Sequence, residues 1–417
     1  MPSRPRLLLL MTTRTYKSHD FLEAARRLGA EVVVGTEREQ ALAALTPGTT
    51  LALDFLQPQA ATAAIVAFAR QFPLTAVVGV DDDTVPLAAM AAAALGLPHN
   101  PAEAVLATRN KYQLRQRLAA AGLPTPHFAC FPLTADPAAV AVQVPYPCVL
   151  KPLFLSASRG VMRADTPEQF VAAWQRLAAL LRTPEVASRG GALAEQILVE
   201  AYLPGQEVAL EGLLVRGNLQ VLALFDKPDP LEGPFFEETL YVTPSRLPAA
   251  TQEAIAACVA ACTRALGLRE GPVHAELRLN AQGPWPLELA ARTIGGLCAR
   301  TLRFGTGMSL EELVLRHALG LEVTSYAREG QAAGVMMLPI PQRGTLRAVH
   351  GQEAAKQVPG IEALHLTVPL GHEVVPLPEG DRYLGFLFAR AATPAHVEAA
   401  LREAYKRLTF VITPTDA

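Results

Sequence analysis

From Arg6 to Leu95 the chain alternates short, nearly continuous apolar runs with helix-like stretches, and this alternation constrains the fold more than any other feature. The runs at 6–12, 31–35 (EVVVG), 51–55 (LALDF) and 75–80 (TAVVGV) read as strands. Between them, 20–28 places Phe21, Leu22, Ala25 and Leu28 on one helical face, and 58–70 and 84–95 are alanine-rich helices. A strand apolar at every position is covered on both faces, which is the arrangement of a parallel sheet between helix layers. Ligands of such sheets gather at the carboxyl ends of the strands, here near Thr12, Thr13, Gly35, Asp54 and Asp81.

The period changes after two breaks, GLPHNP at 96–101 and GLPTPHF at 122–128, with a helix predicted over 108–122 between them. PCVLKP (147–152) reads as a strand, SASRGV (156–161) as a loop returning into another strand, and 166–182 as a helix with a Thr-Pro start. Strand patterns at 196–202, 206–215, 219–226 and 236–243, with turns at Pro204-Gly205 and Arg216-Gly217-Asn218, predict antiparallel sheet. A helix at 250–266 and strands at 272–280 and 285–290 complete an α+β body. Beyond YAREGQAAG (326–334), strands at 334–340, 363–368 and 384–390 and a helix at 394–408 read as a small appended α/β module. The expected divisions are 1–100, 101–195, 196–325 and 326–417.

Composition narrows the function. At 417 residues the chain exceeds one hydrophobic core, and 50% hydrophobic against 18% charged residues excludes a disordered chain. A net charge of -2 lacks the basic footprint of a dedicated nucleic-acid binder. No 18-residue apolar run predicts a membrane span, and the run Leu7–Met11 is too short for a signal peptide. Five cysteines without a CxxC pair predict reduced thiols and a cytoplasmic location.

Lysine is scarce, six residues among 37 Lys+Arg, so a lysine at the end of a buried strand needs a reason. Lys151 follows PCVL and can meet a phosphate as a point charge, or simply end a strand at the surface. The segment SASRG after it can donate backbone N–H groups to phosphates, or be an ordinary hairpin turn. In VHAELRLNAQGPWPLELAAR, Glu276 and Glu288 lie on two strands joined by a tight turn. Two carboxylates in apolar surroundings call for a cation: a Mg²⁺ bridging substrate phosphates, or Arg278, Arg292 or Arg300. VEAYLPGQEVALEG, with Glu200, Tyr202, Leu203 and Glu207, could serve an adenine and a ribose, or be a plain hairpin.

Taken in order, these blocks resemble the ATP-grasp superfamily of ATP-dependent carboxylate–amine ligases, and most closely its L-amino acid ligase branch, which forms dipeptides. The resemblance covers nearly the whole chain and implies an ATP-grasp fold with a preceding α/β domain and a carboxy-terminal module. RNKYQLRQRLAAAGLPTP looks like the family's lysine helix, implying an ATP contact at Lys111. VLKPLFLSASRGV is similar to the second lysine and phosphate-covering loop, implying Lys151, Ser156, Ser158 and Gly160 around the phosphates. The hinge-like block implies Glu200, Ala201 and Leu203 near adenine and Glu207 at the ribose. HAELRLN to ELAARTIGG implies Glu276 and Glu288 as metal ligands, with Arg292 near the substrate carboxylate. FDKPDPLEGPFFEETLYVTPS implies Glu238 on the amine side, with Lys227 in the same block. The implied catalytic set is Arg292, Lys151, Glu238 and Ser158, using ATP and Mg²⁺ to join a small carboxylate to an amine, expected to be amino acids, in a homodimer. Two departures stand out. Leu155 and Ala157 occupy positions where glycine is frequent, which stiffens the loop, and Ala290 replaces an asparagine that often assists the second metal. A nucleotide-biosynthesis ligase or carboxylase of the same superfamily, or a degenerate ATP-binding module, is the alternative.

Overall fold

The computed structural model describes residues 4–38 and 47–414; the extreme ends of the first and last expected divisions lie outside the described residues. Strands β1 (Arg6–Leu10), β2 (Glu31–Thr36), β3 (Thr50–Ala52) and β4 (Ala76–Gly79) form a parallel sheet of order β3-β2-β1-β4. Helices α1 (Ser18–Arg27), α2 (Pro58–Gln71) and α3 (Val85–Ala94) alternate with them. The unbroken leucine run of β1 has its cause in this layering. Leu7 and Leu9 enter one apolar cluster and Leu8 and Leu10 another, all four fully buried, each worth about 2 kcal/mol of transfer free energy.

The helix predicted over 108–122 is two helices, α4 (Ala102–Arg109) and α5 (Lys111–Ala120). Asn110 between them is extended, and its side-chain oxygen accepts from the amides of Tyr112 and Gln113, an N-cap that restarts the helix. The break sets Lys111 at the first turn of α5. Strands β5 (Phe128–Pro132), β6 (Cys148–Pro152), β7 (Met162–Ala164) and β8 (Gln196–Ala201) form an antiparallel sheet of order β5-β8-β6-β7. Short α6 (Pro137–Ala141) and long α7 (Pro167–Leu181) pack against it, with α8 (Pro184–Gly190) following.

The largest sheet begins with β9 (Gln206–Val215), β10 (Asn218–Asp226), β11 (Leu240–Thr243), β12 (Gly271–Asn280) and β13 (Gly283–Ala290). The strand predicted over 236–243 occupies only its last four residues. Pro228, Pro230 and Pro234 remove ladder donors, and Lys227–Thr239 runs as a loop across the sheet end. Helix α9 (Ala249–Leu266) covers one face of this sheet, and α10 (Leu310–Ala318), which the periodicity reading passed over, packs against α1.

The last ninety residues do not form a free-standing sheet. Strand β14 (Ala332–Leu338) pairs antiparallel with β11, and the order runs on through later strands as β13-β12-β9-β10-β11-β14-β18-β16. Between β14 and these lie β15 (Gly344–His350) and α11 (Gln352–Lys356). Then come β16 (Ile361–Leu366), β17 (Glu373–Val374) and β18 (Gly385–Ala391), followed by α12 (Pro394–Lys406) and β19 (Thr409–Thr413). A small sheet of order β17-β15-β19 flanks the large one. Its strands were missed because they mix buried and exposed positions, so no apolar run marks them. Among the described residues no helix is long and apolar enough to cross a membrane.

Candidate functional site

Where the parallel sheet, the β5–β8 sheet and the large sheet meet, a cavity of about 320 Å³ receives every residue of the implied ATP, metal and catalytic sets except Gly160. Gly160 turns away from it: a Cβ there would stand 2.9 Å from Leu177, and its amide donates to the carbonyl of Pro378. Its expected phosphate contact is therefore corrected to a packing role, which its φ of +75° and the crowding by α7 require of a glycine.

Two lysines form a cationic wall. Lys111 Nζ donates to the carbonyl of Leu155 at 2.6 Å and lies 3.5 Å from Glu288. Lys151 Nζ donates to Glu200 at 2.6 Å. Glu200 is 3% exposed and also takes Arg115 Nε at 2.5 Å, while Arg115, 1% exposed, donates onward to the carbonyls of Pro286 and Leu287. Burial alone would raise the Glu200 pKa, but Arg115 and Lys151 together bring it down to about 2. Lys151 is lowered, because burial and the neighbouring Arg115 outweigh the pull of Glu200. The Glu200 carboxylate thus positions Lys151, and any adenine contact of Glu200, Ala201 and Leu203 falls to backbone. The Ala201 and Tyr202 amides are already given to His127 and Pro147 carbonyls.

The carboxylates depart from expectation. Glu276 and Glu288 are directly opposite partners on β12 and β13, as the tight turn implied, with a register irregularity after Glu276, and both line the cavity. Glu276 also joins Glu207 and Glu238, one oxygen from each lying within 4.8 Å of the others. Lys227 Nζ sits among the three, at 2.7 Å from Glu207, 2.5 Å from Glu238 and 3.3 Å from Glu276. Burial disfavours that ammonium, yet the three carboxylates hold its pKa well above the usual value. Burial, then the adjacent Glu276, push Glu238 up to about 8. Glu207, expected at a ribose, has its oxygens committed to Lys227 and Arg278, so a ribose would share an already paired group. His274, between Glu211 at 2.5 Å and Glu276 at 3.3 Å, is raised against burial to about 9.

The amino-terminal sheet supplies the third wall. Asp82, at the end of β4, accepts Arg292 Nη2 at 2.9 Å; burial opposes its charge, but Arg292 and Arg109 hold its pKa well below the usual range. Arg292 therefore pairs with Asp82 and not with Glu288. Asp83 accepts from Arg109 and Arg189, and Asp81 from the Thr12 and Thr15 hydroxyls. Lys17 Nζ, also on this wall, donates to Thr293 O and Oγ1, both at 3.1 Å. Burial and the nearby Arg292 lower its pKa.

The loop over the cavity turns through Ala157 and Ser158 at φ of 55° and 54°, a left-handed conformation that costs non-glycine residues roughly 1–2 kcal/mol each. Among the described residues, the Ala157 and Ser158 amides have no partner within the protein. Arg159 Nε and the Gly160 amide fasten the loop to the carbonyls of Glu379 and Pro378 in the last module.

Three family models match in succession: an ATP-grasp N-terminal domain over 22–99, an ATP-grasp domain over 144–301 and the L-amino acid ligase C-terminal domain 2 over 336–413. The chain belongs to the ATP-grasp superfamily. Within it, it is close to L-amino-acid-ligase-like enzymes. An L-amino acid ligase structure from Bacillus licheniformis superimposes with a TM-score of 0.81 at 27% identity, over 99% of this chain and 100% of that one. A D-alanine–D-alanine ligase of Aromatoleum aromaticum is 33% identical over 219 residues, 52% of this chain and 63% of that protein. Carnosine synthase 1 of Gallus gallus is 30% identical over 280 residues, 64% of this chain and 30% of that protein. The chain spans less than two thirds of the length of these curated relatives.

This ATP-grasp site fits a nucleotide and a divalent cation on its own residues. The free loop amides and Lys111 and Lys151 suit phosphate oxygens, and Glu276 and Glu288, both on the cavity wall, offer carboxylate oxygens of the kind a divalent cation takes. Sequence reasoning missed Arg115, Lys17, Asp82 and Tyr383. A run of three aspartates at a strand end and the general scarcity of lysine were the available signals for two of them; Tyr383 carried none.

Proposed function

We propose that this chain is an ATP- and Mg²⁺-dependent carboxylate–amine ligase acting on amino acids. A carboxylate oxygen takes the γ-phosphoryl group of ATP, releasing ADP. An amine nitrogen then attacks the acyl carbon, phosphate leaves, and an amide forms. The observation that carries this reading is the meeting, in one cavity, of Lys111, Lys151 and the unpartnered Ala157 and Ser158 amides with Glu276 and Glu288. A divalent cation held by Glu276 and Glu288 would supply charge neutralisation on the transferring phosphoryl group. Lys151, fixed by Glu200, offsets growing charge on phosphate oxygens, and Ser158 extends the covering loop toward them. Arg292, oriented by Asp82, faces the carboxylate to be activated, and Glu238 faces the amine. The loop fastened by Pro378 and Glu379 limits water, which would hydrolyse an acyl phosphate. The likeness to the Bacillus licheniformis ligase over the whole chain supports amino acids as substrates, and five free cysteines fit a cytoplasmic enzyme. The test is a matrix of amino acid pairs scored for phosphate release and for product mass. Phosphate release that needs both a carboxylate and an amine is the expected result; ATP binding without turnover in any pair would overturn it.

A further inference from the structure

Lys17 is 5% exposed, and among the described residues it has no carboxylate within 4 Å. The other cavity-side lysines, Lys111, Lys151 and Lys227, are each ion-paired. Its only acceptors are Thr293 O and Oγ1. The adjacent Arg292 adds a second positive charge, and the carboxylates around them are engaged elsewhere: Asp82 with Arg292, Asp81 with Thr12 and Thr15, Glu211 with His274. A buried ammonium without a counter-charge is costly unless something that binds there brings one. Lys17 lines the cavity, so that something can be a ligand.

A second unsatisfied group faces the same space. The Tyr383 hydroxyl is buried with no hydrogen-bond partner and lines the cavity together with Glu238, Cys298 and Phe386. Lys17, Cys298 and Glu238 line this same cavity, so a cationic group and a carboxyl group face one space. Tyr16, Met337 and Phe386 give that space an apolar side.

We propose that Lys17 anchors the α-carboxylate of the amine substrate, so that the enzyme takes free α-amino acids as amine donors in preference to their amides and esters. The proposal rests on the ligase reading above. An amino acid lying over Cys298 directs its amino group toward Glu238, its carboxylate toward Lys17 and its side chain toward Tyr16, Met337 and Phe386. Lys17 thereby sets specificity and takes no part in phosphoryl transfer.

The experiment uses the full chain as wild type, Lys17→Met and Lys17→Arg, with one active carboxylate substrate and three amines: an amino acid, its amide, and hydroxylamine. A charge-assisted contact predicts that Lys17→Met raises the KM for the amino acid ~10–100-fold and leaves the amide and hydroxamate formation nearly unchanged. Lys17→Arg should recover part of the loss. Thermal stability of Lys17→Met should be equal to or above wild type, since an unpaired buried charge is removed; a mere strut for Thr293 would give the opposite. Equilibrium binding of the amino acid and its amide, with a nonhydrolysable ATP analogue present, reads the same preference without turnover. Hydroxamate formation that falls as far as amide-bond formation assigns Lys17 to the activated carboxylate and overturns the proposal, as does equal use of acid and amide by wild type. Absence of turnover with every pair, alongside a Lys17-dependent binding preference, would fault the ligase reading and uphold the subsite.

Discussion

Glu200 is the sharpest place to test how this cavity is held together. It is the one carboxylate shared by Arg115 and Lys151, with side chains 3%, 1% and 12% exposed. Changing Glu200 to Gln leaves two buried cations around a neutral amide. Two routes give the magnitude. A pKa drawn from the usual 4.5 to about 2 corresponds to about 3 kcal/mol at ~1.4 kcal/mol per pH unit. Breaking a buried pair by removing one member costs roughly 3–5 kcal/mol. The folded-state pKa is depressed, so this contribution is complete above pH 4.5 and is lost as pH falls toward about 2. The assay is urea unfolding by circular dichroism at pH 7 for Glu200→Gln, Arg115→Met and the double variant. Glu200→Gln should lose about 3–5 kcal/mol and Arg115→Met less, since Lys151 still pairs Glu200, and the double should lose clearly less than their sum, because Arg115 is no longer there to be stranded. Losses that add within ~0.5 kcal/mol would refute a coupled pair. The same variant should weaken ATP binding through mispositioned Lys151, read by titration with a fluorescent nucleotide.

Glu288→Gln should lower phosphate release at saturating Mg²⁺ by at least ~100-fold with an unchanged circular dichroism spectrum, because a neutral amide cannot balance a metal's charge. For His274, raised to about 9 by Glu211 and Glu276, stabilisation is complete below the usual 6.5 and is lost as pH rises through 9. Urea midpoints measured in EDTA should fall across that window more steeply in wild type than in His274→Asn, where the titration of Glu238 remains. Arg176 holds Glu379 at 2.5 and 2.8 Å on an exposed surface, so Arg176→Ala should speed protease cleavage within 155–160 only ~2–5-fold. Unaltered cleavage would mean that the Pro378 and Glu379 carbonyls hold the loop without help from Arg176.

The parallel sheet was legible because β1 is buried on both faces and shows it in every residue. Glu276 and Glu288 were legible as ladder partners because a tight turn fixes register. The company Glu276 keeps was not, since Lys227 arrives beside it from a proline-rich loop. Asn110 as a cap was hidden inside a continuous helical pattern. Arg292 read as a residue near the substrate carboxylate, with pairing to Glu276 or Glu288 as the alternative, whereas its counter-ion, Asp82, lies 210 residues away and reaches it only through domain packing. The same holds for Lys17 and Tyr383: a sequence shows what a side chain can do, but the lack of a partner is a property of the folded surroundings.

The pairing of β11 with β14 has an evolutionary consequence. A module joined by a linker can be exchanged between proteins as a cassette, but this one contributes three neighbouring strands to the sheet that carries Glu276. Cutting the chain near 325 would strip β11 of a strand that pairs with all four of its residues, from Leu240 to Thr243, and leave a bare edge open to intermolecular pairing. The terminal segment and the sheet it extends can therefore diversify only together, and new substrate preferences in this lineage are expected to arise by substitution within the shared framework and not by shuffling of its last ninety residues.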